Sequence, residues 1–434
     1  MDFLAVLGFI MIISFMYLVM SERMSPFSAM IIIPIIFGLI AGAGPGIGKM
    51  MMDGVKGVVG TATMLMFSIL YFGIMIDAGL FDPLILKILE VVKGDPLKII
   101  AGTVVLSAFM ALGGDGSTTF MVVVTTMLPL YKRIGISTVI LSVMTLMTTS
   151  IFNLVPWGGA TSRVLIALNV EVSDVILKIM PGMGLALTFM LVVACIVGKR
   201  ERSKLGYTTM NEELLQEIAA SVQQRNTHLK RPDLFWVNLI LTLGLMSGLV
   251  FEVAPLAVLF EMGVALALII NYPSLNEQRS RIAQHAPNAI NIATIIFSAG
   301  IFMGIFSGTK MSDAIALSLI NMIPASLSHY MILITALISA PITFLVTNDT
   351  YYFAIVPIFA KIAANYGIEH AQIARVSLMG HSVHFLSPLI GSIWLLLGMT
   401  EVSLRDLQKY AFPLALGIMT IYILTGIVLG LIPV

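Results

Sequence analysis

The sequence predicts an all-α integral membrane protein of two inverted-topology repeats, each holding a re-entrant hairpin and a broken transmembrane helix. Three observations carry that expectation. Of the 434 residues, 58% are hydrophobic and 11% charged, against about 25% charged in soluble domains, and the mean hydropathy is +1.01. Two apolar runs, about 137–168 and 369–400, are long enough to span a bilayer yet contain helix breakers: Pro156, Gly158 and Gly159 in one, Pro388 and Gly391 in the other. Pro156 and Pro388, like Gly159 and Gly391, stand 232 residues apart. Two more apolar stretches, about 97–130 and 330–360, are each interrupted by a polar knot, Gly113–Thr119 and Thr347–Tyr352.

Taken in order, apolar runs of spanning length fall at about 3–20, 26–47, 58–80, 137–168, 174–198, 234–251, 255–272, 288–308, 369–400 and 410–433. The first run lacks a basic leader and a small-residue cleavage site, and reads as a retained span. The stretches 97–130 and 330–360 have arms nearer 15 residues than the roughly 20 a crossing needs, so each reads as a hairpin with its polar knot at the tip. Before each lies a semi-polar segment, Phe81–Lys98 and Met311–Tyr330, expected as a surface helix that braces the hairpin. The total is about ten full spans and two hairpins: a first repeat over 1–198, a linker over 199–233 and a second repeat over 234–434. Lysine and arginine cluster at Lys199–Lys204 and Lys230–Arg231, which places the linker in the cytoplasm and both termini outside. The two hairpins then open from opposite sides and their tips meet near mid-membrane. Non-helical backbone at that depth is tolerated only inside protein or beside a water-filled cavity. Interrupted apolar segments at matching places in two halves mark a transporter's binding site.

Composition also excludes. A net charge of +1 points away from a nucleic-acid partner, and the single cysteine, Cys195, rules out an intrachain disulfide or a cysteine metal cluster. The 30 methionines read as packing and lipid-facing residues. No catalytic residue and no permanently bound cofactor is expected.

The candidate ligands lie at the knots and the breaks. Asp115 and Asp349 are the acids at the two tips, and ionisable groups inside a membrane face a pathway or a partner. Beside them Ser117, Thr118, Thr119, Asn348 and Thr350 offer neutral oxygens, the donors that hard divalent cations select. At the first break Asn153, Gly158, Gly159, Thr161 and Arg163 are candidates for holding an anion; at the second, His384, Ser387, Gly391 and Ser392. His381 and His384, three apart on one helix side, suit a proton relay or a carboxylate contact better than a metal. Asp349 precedes Tyr351, Tyr352 and Phe353, an apolar wall that suits a proton carrier. Asp115, flanked by glycines, suits a metal. Trp157 either caps the site or packs, and Asp77 and Lys310 read as interfacial.

Together, Leu7–Ile12, Ser21–Ser25, Gly113–Phe120, Asn153–Gly159 and His381–Gly391 give a chain that resembles, over nearly its whole length, the citrate–divalent metal–proton symporters of bacteria (CitMHS-type) in the ion transporter superfamily. The resemblance implies a homodimer in the bacterial cytoplasmic membrane that imports citrate as a metal complex, coupled to protons, by an elevator motion. On that reading Asp115 and Asp349 take the metal, of the magnesium or calcium class, and Asp349 and His381 handle protons. In the dicarboxylate branch the tips read Ser-Asn-Thr; the extra acids here fit a proton or divalent-ion site. Chelation leaves citrate roughly one net negative charge of about three, which lowers the cost of entering a low-dielectric site. A sodium- or proton-coupled carrier of another di- or tricarboxylate or organic anion is the alternative. From other classes, Gly113–Gly116 allows an intramembrane aspartyl protease, and no run of pore-lining charge favours a channel.

Overall fold

Apolar runs of this length leave the backbone no partner but itself, and the chain answers with helices. The computed structural model describes residues 3–21, 23–92, 94–114, 116–206, 227–250, 253–320 and 330–432, and among these there is no strand. The first half contains α1 (Phe3–Met20), α2 (Pro26–Ile40), α3 (Ile47–Asp77), α4 (Asp82–Val92), α5 (Pro96–Ala111), α6 (Gly116–Ile134), α7 (Thr138–Phe152), α8 (Gly159–Leu168) and α9 (Lys178–Leu205). The second contains α10 (Phe235–Val250), α11 (Leu256–Asn271), α12 (Leu275–Gly308), α13 (Met311–Ile320), α14 (Met331–Leu345), α15 (Val356–Ala364), α16 (His370–Ser377), α17 (His381–His384), α18 (Gly391–Thr400) and α19 (Leu404–Val428). The order repeats: each element from α1 to α9 has a counterpart in the second series, with α16 and α17 together answering α7. Among the described residues, five helices are long and apolar enough to cross a membrane by length and composition.

Helix starts follow the capping residues. Asp95 accepts from Leu97 N–H with Pro96 next, Ser137 accepts from Val139 N–H, and Ser403 accepts from Asp406 N–H. Asp95 is also bonded by Arg202 of α9, which ties the start of α5 to the end of α9. α9 therefore runs on through Lys199–Lys204, where the sequence suggested a linker. Cations on a last helical turn are favoured by the helix dipole. α12 likewise begins at Leu275, earlier than its apolar run at 288, because the polar turns ahead of it remain helical.

The central crossing is α3 on α12. An ideal Cβ on Gly54 would stand 2.0 Å from the Gly300 carbonyl oxygen, and one on Gly304 2.2 Å from that of Met50. Only glycine lets the two backbones approach this closely. α2 and α11 flank the pair. The other packed group is α5–α9 with α14–α19. α5 has 16 residues and α14 has 15, so each is about 24 Å or less at 1.5 Å per residue, short of the ~30 Å hydrocarbon core. α6, the returning arm, reaches 19 residues and ends on Lys132 and Arg133. After α14 the chain turns at Val346–Asp349 and returns through a π-helical turn, Thr350–Ile355, into α15.

Candidate functional site

α7 stops at Phe152 because Pro156 lies ahead and cannot continue the ladder. The loop then closes tightly. An ideal Cβ on Gly158 would fall 1.9 Å from the Asn153 carbonyl oxygen, so this position admits only glycine. Side chains take over the backbone's bonds: Thr161 Oγ1 donates to the Leu154 carbonyl at 3.0 Å, and Asn153 Oδ1 accepts from Ala160 N–H at 3.4 Å. The break also grips the end of α5, where Trp157 Nε1 donates to Leu112 O at 2.7 Å and Asn153 Nδ2 to Gly114 O at 3.4 Å. Trp157 packs on Phe72 of α3 and Phe260 of α11, with ring centroids at 5.9 and 5.3 Å. It is thus an anchor rather than a lid.

The second break is built the same way from other residues. α16 ends at Ser377, a turn at Leu378–Gly380 leads to the single turn α17, and helix resumes at Gly391. His384 Nδ1–H donates to the Thr343 carbonyl, and Ser387 Oγ donates to Phe344 O at 2.7 Å, meeting carbonyls that the end of α14 leaves open.

Two contacts join the breaks across the halves. Arg163 Nε donates to Asp349 Oδ1 at 2.6 Å while its Nη1 donates to Gly159 O at 2.7 Å. The two side chains are 19% and 10% exposed, so this is a charge pair inside protein. His381 Nε2 bonds Asn153 Oδ1 at 2.9 Å. Asn153 Oδ1 is an acceptor there, since its Nδ2 donates to Gly114, so Nε2 carries the ring proton. His381 Nδ1 is then a buried lone pair with no partner among the described residues. Asn348 Oδ1 and the Tyr352 hydroxyl are orphaned likewise. Buried polar atoms are normally bonded, and these three belong to the second tip and second break, beside the pair.

Asn153, Gly159, Arg163, Asp349 and His381 are thus brought together. Thr161, His384 and Ser387 are fully committed to holding the breaks. Thr350 shares a 3.0 Å hydroxyl contact with Thr347. Ser392 faces the first tip: an ideal Cβ on Gly116 would lie 3.5 Å from its Oγ. Ser117 and Thr118 are half-buried just inside α6, and Thr119 is fully buried. Gly158 and Gly391 each open a resumed helix. Asp115 lies outside the described residues, as do 207–226 of the linker and 321–329 of the second semi-polar segment. The apolar wall expected beside Asp349 exists, since Tyr351, Tyr352 and Phe353 are buried, but a guanidinium occupies its other side. Sequence reasoning missed the Arg163–Asp349 pairing itself and the role of Tyr352; spacing along a chain does not encode a contact across 186 residues. Asp77, read as interfacial, bonds Arg281 and His285 of α12. Among the described residues no three His, Cys, Asp or Glu side chains gather to hold a metal.

Comparisons with known proteins identify the family. A family profile described as Citrate transporter (CitMHS) matches residues 1–380. A protein named Citrate transporter from Bacillus subtilis (strain 168) is 47% identical over 99% of both chains. Another from the same organism, named Mg(2+)/citrate complex secondary transporter, is 45% identical over 98% of both. The crystal structure of the Alcanivorax borkumensis YdaH transporter, described as having an unusual topology, superposes with a TM-score of 0.55 over 90% of this chain and 91% of its own, at 14% identity. That last likeness is one of fold.

Proposed function

The chain belongs to the citrate transporter family, CitMHS, and from that premise we propose that it is a proton-coupled secondary transporter importing citrate as a complex with a divalent cation. Its family and relatives are transporters, so it is not an enzyme, and the protease reading falls. The observation that carries the proposal is the Arg163–Asp349 pair where the two breaks meet. A metal–citrate complex presents a cation and a free carboxylate on one small body. Opening the pair lets Asp349 face the metal and Arg163 the carboxylate, and each buried charge exchanges one partner for another. Metal alone would leave Arg163 unpaired, and citrate alone would leave Asp349 unpaired. Removing one partner from a buried pair costs about 3–5 kcal/mol, so both cargo components are needed together. On this reading the cation arrives as part of the chelate. The sequence expectation gave Asp115 a share in holding it.

The orphaned Nδ1 of His381, the Asn348 amide oxygen and the Tyr352 hydroxyl offer further bonds to the cargo's hydroxyl and carboxylates. His381 and Asp349 are the groups assigned to protons. The short arms α5 and α14 support re-entrant hairpins, and the repeated order of elements supports an inverted repeat. Basic ends at Lys132–Arg133, Lys199–Lys204 and Arg279–Arg281 set the cytoplasmic side of the bacterial membrane. The group α5–α9 with α14–α19 is the mobile body of an elevator, and α3 with α12 the frame, in a homodimer. Counterflow of labelled citrate in proteoliposomes tests the reading. Exchange that requires Mg²⁺ or a similar cation is expected; citrate exchange unaffected by chelator, or none, contradicts it.

A further inference from the structure

A cavity of about 220 Å³ lies between α3, α12 and the tip that joins α5 to α6, lined by Gly73, Met110, Thr118, His285, Asn288 and Asn291 among others. His285, Asn288 and Asn291 follow at three-residue steps and share one face of α12. Asn288 and Asn291 are exposed, while Ile290 and Phe297 turn out on other sides of the same helix. A primary amide facing hydrocarbon leaves its hydrogen bonds unmade, so this face meets water.

The wall is rigid where it meets His285. His285 Nε2 bonds Asp77 Oδ2 at 2.8 Å, and the same oxygen takes Arg281 Nη1 at 2.9 Å. An ideal Cβ on Gly73 would stand 2.5 Å from His285 Nδ1, so the ring is clamped against the α3 backbone. Asp77 is compensated by Arg281, and none of the lining residues is acidic. Among the described residues, the cavity therefore shows an anion the amides of Asn288 and Asn291 and no bare carboxylate. Thr118 connects it to the candidate site. The same end of α6 starts at Gly116, which lies beside Ser392 of the second break, and Gly114 just before it accepts from Asn153 of the first break, so the cavity backs onto the candidate site.

We propose that this cavity is a second, weaker station for the cargo, in which Asn288 and Asn291 donate to the free carboxylates of a metal-chelated polycarboxylate passing between the paired charges and the cytoplasm. The proposal rests on the reading of the chain as a transporter of that anion. Uncharged donors suit a station from which cargo must leave again, since passage needs binding that is favourable but weak.

The test uses the full-length protein with its single cysteine replaced, Cys195→Ser, reconstituted in liposomes. Asn288→Cys and Asn291→Cys are labelled with an anionic methanethiosulfonate. Saturating Mg²⁺–citrate should slow labelling at both positions by about threefold or more, and Asn288→Leu with Asn291→Leu should raise the half-saturating concentration for exchange about fivefold, the scale of one lost hydrogen bond. Labelling unchanged by Mg²⁺–citrate, in protein that still exchanges it, overturns the second station and leaves the transport reading standing. No exchange by the Cys195→Ser protein overturns both.

Discussion

In the first half, the break between α7 and α8 is tied to the end of α5 by Trp157 and Asn153, which donate to the carbonyls of Leu112 and Gly114. In the second, the break before α18 is tied to the end of α14 by His384 and Ser387, which donate to Thr343 and Phe344. The need is the same, because a helix that ends inside protein leaves carbonyls open. The chemistry differs: indole and amide in one half, imidazole and hydroxyl in the other. Charge diverges in the same way. The first break carries Arg163, which stays charged at any physiological pH. The second half supplies Asp349 and His381, a carboxylate and an imidazole. The first half thus sends two groups across, the guanidinium of Arg163 to Asp349 and the amide of Asn153 to His381. The comparison teaches that two breaks meeting one structural need can carry different charge, a division between a fixed cation and an acid with an imidazole.

The largest expected effect breaks the division at its centre. Arg163→Ala leaves Asp349 buried and unpaired, a cost of about 3–5 kcal/mol, and should lower citrate exchange roughly a hundredfold or more; Arg163→Lys, which cannot make both of arginine's bonds, should fall between. Near-normal exchange by Arg163→Ala would remove the charge pair from the site. His381→Gln should next separate the halves. Equal-pH exchange should persist while accumulation driven by a pH gradient collapses to the equilibrium ratio. If pH-driven accumulation survives, proton handling lies elsewhere.

Smaller effects sharpen the scaffold side. Gly158→Ala drives a methyl into the Asn153 carbonyl and should destabilise the protein by about 1–3 kcal/mol, read as a lowered unfolding midpoint in detergent. Trp157→Phe and Ser387→Ala each delete one bond to a helix-end carbonyl. Each should cost about 1 kcal/mol of stability, with little change in the cation requirement. A changed cation requirement in either would mean that these side chains touch cargo.

Much of this was legible in the sequence, for physical reasons. Pro156 and Gly158 announce a break because one lacks a donor and the other tolerates contact with a carbonyl, and α7 does end at Phe152 and α8 begin at Gly159. Helix ends were misjudged where polar residues continue a helix into water, as in α9 and α12, because hydropathy measures the membrane and not the helix. The second break held an additional turn at Leu378–Gly380 that no proline marks. At the site, residue types pointed to candidates but not to which were spent on scaffold. Thr161 and Ser387 are hydroxyls like any other until their carbonyl partners are seen. Asp349 looked like an acid against aromatics because its partner, Arg163, lies in the other half.

The central claim is that one buried charge pair enforces joint binding of metal and polycarboxylate. Isothermal titration of the purified wild-type protein with citrate plus Mg²⁺, with citrate plus a chelator, and with Mg²⁺ alone tests it most directly. Binding is expected for the mixture, with either component alone weaker by roughly a hundredfold or more, the scale of one uncompensated buried charge. Citrate that binds as tightly in chelator as in Mg²⁺ would contradict it.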